Sequence, residues 1–238
     1  MEEKVNGIVI KSMPYLDYDS LTTIFTAEKG LLTAKLKGVK KATAKLKFAG
    51  EPFCFAEFII IEKQGKRTIK TASLIDGFYE LRNDYERFLC GSVVLDFCQK
   101  TQLVGEEYSK ILLASVKALG DIAYGGNPFI ALINFLLQAL RTVGYALNVE
   151  ECASCGVYIE SRVFFDVNGG GFVCENCQKE DMVEVSKKTY ELLQNAQNNP
   201  QYEVKYLKKA LNFLDFYIYN KVGEKINSLK LLLKTVNF

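Results

Sequence analysis

The hydrophobic period of this chain changes once, near residue 80, and that change restricts what it can fold into. Before it, apolar side chains alternate with polar ones, as they do along a strand. After it, they recur every three or four residues, as they do on one face of a helix. Strands first and helices afterwards predict an α+β multidomain protein rather than an alternating α/β one. The strand signals are Val5–Lys11, Leu21–Thr26, Leu31–Lys37, Phe53–Ile61 and Thr68–Ile75, all rich in β-branched and aromatic residues. Asp17, Asp19, Gly30, Gly38, Gly50, Pro52 and the tip Gln64-Gly65-Lys66 separate them. In the third run Leu32, Ala34 and Leu36 fall on one side and Thr33, Lys35 and Lys37 on the other. Five short strands in residues 1–79 predict a five-stranded OB-fold β-barrel, and a small SH3-like barrel fits the strand count almost as well.

Residues 80–238 read as an α-helical domain. Leu89, Val93 and Phe97, with Cys90, Val94 and Cys98, share one apolar face. Tyr108, Ile111, Leu112, Val116 and Leu119 define a second helix. Asn127-Pro128 supplies a cap and a first-turn proline for a third, which carries Phe129, Leu132, Ile133, Leu136, Leu137 and Leu140 and stops near Gly144. Ser186 caps a helix to about Asn195, and Asn195–Pro200 is a polar turn. Val204, Leu207, Leu211, Leu214 and Ile218 then mark a longer helix ending near Gly223. The longest apolar block, Phe129 to Leu140, is interrupted by Asn134 and Gln138 and is too short to span a bilayer, so a core helix and no membrane association are expected. The opening MEEKVNGIVI lacks the basic and apolar regions of a secretory signal, which points to a cytoplasmic protein.

The chain of 238 residues contains no His. That excludes the Ser-His-Asp and Cys-His nucleophiles and any histidine general base. No phosphate-cradling glycine motif occurs and no carboxylate dyad stands out, so the commonest catalytic apparatus is absent while catalysis by a carboxylate, lysine or metal stays open. Cys152-Ala-Ser-Cys155 and Cys174-Glu-Asn-Cys177 are two C-x2-C pairs with 18 residues between them. This is the spacing of a four-cysteine zinc site, each pair turning two sulfurs toward one centre. Gly156 frees the backbone after the first pair. A strand over Val157–Phe165, a turn at Asn168–Gly171 and Phe172-Val173 form the hairpin that returns the second pair, giving an inserted module at about 150–182. Cys152, Cys155, Cys174 and Cys177 are therefore expected to hold one structural Zn2+, and breaking a knuckle should unfold at least the hairpin. Redox dithiols or disulfides are the alternatives for these residues. A metal-dependent hydrolase is disfavoured, because four thiolates fill the coordination sphere. Cys54, Cys90 and Cys98 read as core thiols.

Formal net charge is only +2, from 30 basic and 28 acidic residues. The distribution is more telling. Lys35, Lys37, Lys40, Lys41, Lys45 and Lys47 lie in one stretch that contains no acid. A basic loop beside a small barrel, with Tyr15, Phe25 and Phe48 available for stacking, is how a single-stranded nucleic-acid surface is built. A lysine-rich edge that deters strand pairing is the other reading. Four thiolates around zinc add about −2, so binding must come from this local patch.

Taken together, these residues resemble the RecO family of bacterial DNA repair and recombination mediators. The match runs through Gly7-Ile-Val-Ile, Tyr15-Leu-Asp17-Tyr-Asp19, Phe25-Thr26, Gly30 and Lys37-Gly38-Val-Lys40-Lys41. It continues with Glu51-Pro52-Phe53, Glu57, Leu81-Arg82-Asn-Asp84, the two cysteine pairs of zinc-bearing members, and Gly223 followed by Ser228-Leu229. This chain departs from the pattern in having only lysine in the basic loop, which lacks the bidentate phosphate contacts of arginine, and Tyr219-Asn220 where histidine is common. The resemblance implies an OB domain, a helical domain interrupted by a zinc module, and no enzymatic activity. It further implies binding of single- and double-stranded DNA, annealing of complementary strands, and loading of RecA onto coated single strands together with RecR and single-strand-binding protein, in the cytoplasm at the nucleoid. DNA contact is expected at Lys35, Lys37, Lys40, Lys41, Lys45 and Lys47. An RNA-binding or ribosome-associated protein with the same modules is the alternative.

Overall fold

Alternation in the first third of the chain produces the strands Glu2–Tyr15 (β1), Asp19–Thr26 (β2), Gly30–Leu36 (β3), Phe55–Lys63 (β4) and Lys66–Asp76 (β5). In the computed structural model they close into a barrel in the order β1-β2-β3-β5-β4, the OB-like arrangement. The structure describes residues 2–101, 107–196, 198 and 201–236. β3 meets β5 in parallel at Lys35–Thr68 and Leu36–Ile69, and the other pairings are antiparallel. β1 pairs with β2 on one side and β4 on the other, and it shifts register between Val9 and Lys11, a bulge that bends it around the barrel. At Gly7 an added Cβ would lie 2.5 Å from Ile24 Cγ2 and 2.7 Å from the Phe25 carbonyl oxygen, so only glycine permits this approach. Leu32, Ala34 and Leu36 point inward as their alternation predicts, joining Val5, Val9, Ile24, Phe58 and Ile60 in the barrel core.

The helical domain comprises Tyr85–Lys100 (α1), Glu107–Tyr124 (α2), Pro128–Thr142 (α3), Lys187–Asn195 (α4), Val204–Val222 (α5) and Asn227–Thr235 (α6). Asp84 accepts from the Arg87 N–H at the start of α1, and Asn127 accepts from Phe129 and Ile130 at the start of α3. Gly223 ends α5 in the left-handed region at φ +79°. Ser186 sits at the cap position of α4 but its side chain makes no capping bond. Val204 is exposed, so the apolar stripe of α5 begins one turn later, at Leu207. The turn expected over Asn195–Pro200 falls partly on residues 197, 199 and 200, outside the described residues.

Barrel and helices share one core. Ile8, Phe25 and Phe53 are buried in the same cluster as Leu81, Val93, Phe97 and Leu119. At the junction the Tyr108 ring of α2 meets Phe25 edge-on, 6.1 Å between centroids, and covers Gly30 so closely that a Cβ there would collide with it. Gly30 also has φ +63°, so both backbone and space require glycine. No described helix is long and apolar enough to cross a membrane.

Candidate metal centre and nucleic-acid surface

Between α3 and α4 the chain forms a small three-stranded sheet of Val163–Asp166 (β6), Gly171–Cys174 (β7) and Val183–Val185 (β8), in the order β7-β6-β8. The expected strand from Val157 starts only at Val163, because residues 157–162 follow the knuckle irregularly. The expected hairpin turn is present: Asp166 Oδ1 accepts from the Asn168 and Gly169 N–H groups, both at 2.9 Å. Gly156, at φ +73°, donates its N–H to the Cys152 carbonyl at 2.8 Å and closes the first knuckle. Ala153 donates to the Phe172 carbonyl at 2.8 Å, tying that knuckle to β7 and so to Cys174.

This convergence brings the sulfurs of Cys152, Cys155, Cys174 and Cys177 within 4.8 Å of one another. Cys155 and Cys174 Sγ are 3.8 Å apart. A tetrahedral Zn2+ with Zn–S of about 2.3 Å needs sulfurs about 3.8 Å apart, whereas a disulfide needs about 2.05 Å. The donor set therefore fits a metal ion, and all four cysteines are free. Burial resists ionisation of Cys152, but the backbone N–H groups of Cys174, Cys155 and Ser154 outweigh it and hold the thiol down to about 6. Cys155 has a backbone donor in Val157, yet the sulfurs of Cys152 and Cys177 push it up to about 12. Amides thus favour the Cys152 thiolate, while the neighbouring sulfurs disfavour a second one at Cys155. The other three cysteines are inert: burial raises the Cys54 and Cys98 thiols to about 12, and raises Cys90 as well.

The basic stretch leaves β3 and passes through an irregular loop into a 3₁₀ turn at Lys47–Gly50. Lys37, Lys40, Lys41, Lys45 and Lys47 are exposed. Lys35 is half-buried and, among the described residues, is the member of the six held in an ion pair, with Asp19 Oδ2 at 2.7 Å. Asp19 Oδ1 accepts from the Gly38 N–H at 2.7 Å, and the Lys40 N–H donates to the Tyr18 carbonyl at 3.1 Å. These bonds fasten the lysine loop to the β1–β2 hairpin. The Lys35 ammonium first, then the Gly38 amide, hold the Asp19 carboxyl below its ordinary value. Both tyrosines of that hairpin are exposed, Tyr15 at 41% and Tyr18 at 55%. Lys35 Nζ stands 5.1 Å from the Tyr15 ring centroid and Lys41 Nζ 5.4 Å from that of Tyr18.

The aromatic expectations need correction. Phe25 is 1% exposed beneath Tyr108 and offers no stacking face, and Phe48 is half-buried against the barrel core. Tyr18 takes their place. The sequence marks Asp17 and Asp19 as turn residues and as part of the matched Tyr15-Leu-Asp-Tyr-Asp segment, but does not show that the segment carries both the Tyr18 ring and the Asp19 clamp.

An OB-like barrel with a clamped lysine loop, joined through a shared core to a helical domain bearing a four-cysteine cluster, defines a class of modular binding proteins. Comparison with known families makes the class specific: the profile described as Recombination protein O N terminal matches residues 1–78, and that described as Recombination protein O C terminal matches residues 82–230. The chain belongs to the RecO family. Similar curated proteins include the DNA repair protein RecO of Acetivibrio thermocellus, 27% identical over 179 residues that cover 75% of this chain and 71% of the relative. That of Syntrophomonas wolfei is 28% identical over 189 residues, 79% of this chain and 75% of the relative. That of Clostridium novyi is 28% identical over 196 residues, 80% and 75% respectively.

Proposed function

We propose that this chain is a DNA repair and recombination mediator that binds single- and double-stranded DNA and anneals complementary strands. With RecR it helps load RecA onto single strands coated by single-strand-binding protein, in the cytoplasm at the nucleoid. Residues 1–79 act as the nucleic-acid-binding domain. Residues 80–238 act as the helical domain, with the metal module at about 150–182. The observation that carries the reading is the lysine loop fastened beside Tyr15 and Tyr18, each with an ammonium over its exposed ring. Ammonium groups neutralise phosphates and rings take stacked bases. The edge-protection alternative loses its footing here. The barrel is closed, and Lys35 is paired with Leu21 on one side and Thr68 on the other, so no open edge needs guarding at that point.

In mechanism, Lys35, Lys37, Lys40, Lys41, Lys45 and Lys47 lower the repulsion between two phosphate backbones, and Lys35 also keeps the loop seated through Asp19. Cys152, Cys155, Cys174 and Cys177 would hold one Zn2+, which supplies a cross-link between the knuckles when bound. The chain does no covalent chemistry on its DNA. The test is annealing of complementary strands, bare and coated by single-strand-binding protein. Acceleration that requires the lysines supports the reading. Absence of DNA binding at low salt, or a clear preference for RNA over DNA of the same sequence, overturns it.

A further inference from the structure

One exposed face of the helical domain repeats the chemistry of the barrel loop. On α5, Lys205, Lys209, Asn212, Phe216 and Tyr219 follow one another at three- and four-residue intervals, within an arc of about 100° opposite the buried Leu207, Leu211, Leu214 and Ile218. No acid lies in this arc; Asp215, the nearest, is half-buried to one side. Phe216 is 40% and Tyr219 47% exposed, so both offer ring surface to solvent. Ammonium groups cluster on the rings. Tyr206, half-buried to one side of the arc, has Lys188, Lys205 and Lys209 Nζ at 5.3, 4.9 and 5.9 Å from its centroid. At the other end Tyr219 has Lys225 and Lys230 at 5.2 and 5.8 Å. Glu203 pairs with Lys205 and Lys188, leaving three ammoniums against one carboxylate around Tyr206.

We propose that this face of α5 is a second binding surface for single-stranded nucleic acid, separate from the barrel loop. Ammoniums and rings occur together at both ends of it, around Tyr206 and around Tyr219, and Lys205 to Tyr219 is about 21 Å, fourteen rises of 1.5 Å, which spans a few nucleotides of phosphate and base. An acidic protein segment with apolar side chains would use the same charges and rings; the pairing of ammonium and ring at both ends of an extended face favours a nucleic-acid strand, and a protein partner is an outcome of the test. The inference rests on the DNA-binding reading above and deepens it: a protein that anneals must hold two strands, and a second surface gives the second strand its own place.

The test is photocrosslinking of the full chain to an oligonucleotide carrying 5-iododeoxyuridine, alongside annealing kinetics. Crosslinks are expected at Tyr206, Phe216 or Tyr219 as well as on the barrel. In a Lys37→Ala/Lys40→Ala/Lys41→Ala background, adding Lys205→Ala and Lys209→Ala should flatten the remaining salt slope by about 1.4, a loss of about sevenfold of the salt effect between 50 and 200 mM. Tyr219→Ala, added in that same background, should weaken the remaining binding at least about fivefold. With the barrel intact, the α5 variants should bind one strand nearly normally but anneal slowly. Crosslinks confined to the barrel, with salt slope and annealing rate unchanged by the α5 variants, overturn the second surface and leave the DNA-binding reading standing. No binding of DNA by the wild-type chain overturns both. An α5 variant that loses a protein partner while binding and annealing DNA normally also overturns the proposal.

Discussion

Replacing Lys37, Lys40 and Lys41 together by alanine tests the barrel surface with little structural cost. All three side chains are exposed. The structural tie of Lys40 is its backbone N–H on the Tyr18 carbonyl, which alanine retains. Lys41 gives up only a ring contact at the surface. Each substitution should therefore change stability by no more than about 0.5 kcal/mol. Lys35 is left in place, because its ammonium seats the loop through Asp19 and its removal would confuse contact with conformation. The effect on binding is much larger. Each phosphate neutralised on a single strand contributes about −0.7 to the log–log dependence of affinity on salt, so three lost contacts flatten the slope by about 2. Over a tenfold rise in salt the wild-type protein should lose about a hundredfold more affinity than the variant. Fluorescence anisotropy of a labelled single strand, titrated at several salt concentrations, reads the slope directly. A melting curve confirms the fold. A variant that melts normally, binds DNA and keeps the wild-type slope would refute the assignment of these lysines to phosphate contact.

Three further outcomes are expected. Metal analysis should give about one zinc per chain, and Cys155→Ser should abolish it; hydrogen exchange should then rise in both knuckles more than in β6 and β7, and equal protection of all four segments would show the metal is not what orders them. Asp19 has a lowered carboxyl pKa, so its contribution is fully present above the ordinary value of 3.8 and is lost as pH falls through the depressed value; melting temperatures of Asp19→Ala and wild type should accordingly differ at neutral pH and converge in strong acid, and a constant difference across pH would exclude the carboxylate as the clamp. Gly30→Val should destabilise by more than about 2 kcal/mol, combining left-handed backbone strain with collision against Tyr108, and Tyr108→Ala should recover part of that loss in chemical denaturation; a neutral Gly30→Val would mean the barrel–helix junction is looser than drawn.

What the sequence made legible follows from how local each signal is. Barrel strands and the three central helices announce themselves because one buried face sets the period, as in Leu32-Ala34-Leu36 or Leu89-Val93-Phe97. The cysteine spacing is equally local, since each pair forms its own knuckle. α6 escaped notice because a nine-residue helix has too few periods to show. It is pinned by α1 instead: the Ser228 N–H and hydroxyl both donate to Asp96 Oδ2, at 3.0 and 2.9 Å, and Lys100 donates to the Lys225 carbonyl. Phe25 was misread for the same reason, because its burial depends on Tyr108, 83 positions away. The lysine loop had no acid within it, yet the fold delivers Asp19 from a neighbouring hairpin. β8 and the late start of β6 are likewise set by pairing across the sheet and not by composition.

The sequence alone predicts that breaking a knuckle unfolds at least the hairpin, but the packing around β6 and β7 gives the hairpin a second source of stability. Phe165 meets Phe213 at 4.9 Å and Tyr217 at 6.0 Å, while Phe172 meets Tyr190 at 5.0 Å and Phe213 at 5.2 Å. Aromatic pairs of this kind contribute about 0.5–1.5 kcal/mol each beyond the area they bury. The hairpin is therefore anchored to α4 and α5 by rings, and the metal is left to order the knuckles at its end. Phe165 also touches Phe216, at 6.4 Å, one of the two exposed rings on the outer face of α5. This gives the metal a graded reach: from Cys174 at the end of β7, through the hairpin pairing of Phe172 with Phe165, to Phe216. Chelation should consequently disturb contacts at Phe216 while leaving the barrel loop, which shares no residue with this chain of rings, at its full affinity. Equal loss at both surfaces on metal removal would show that the module supports the whole fold and not α5 alone.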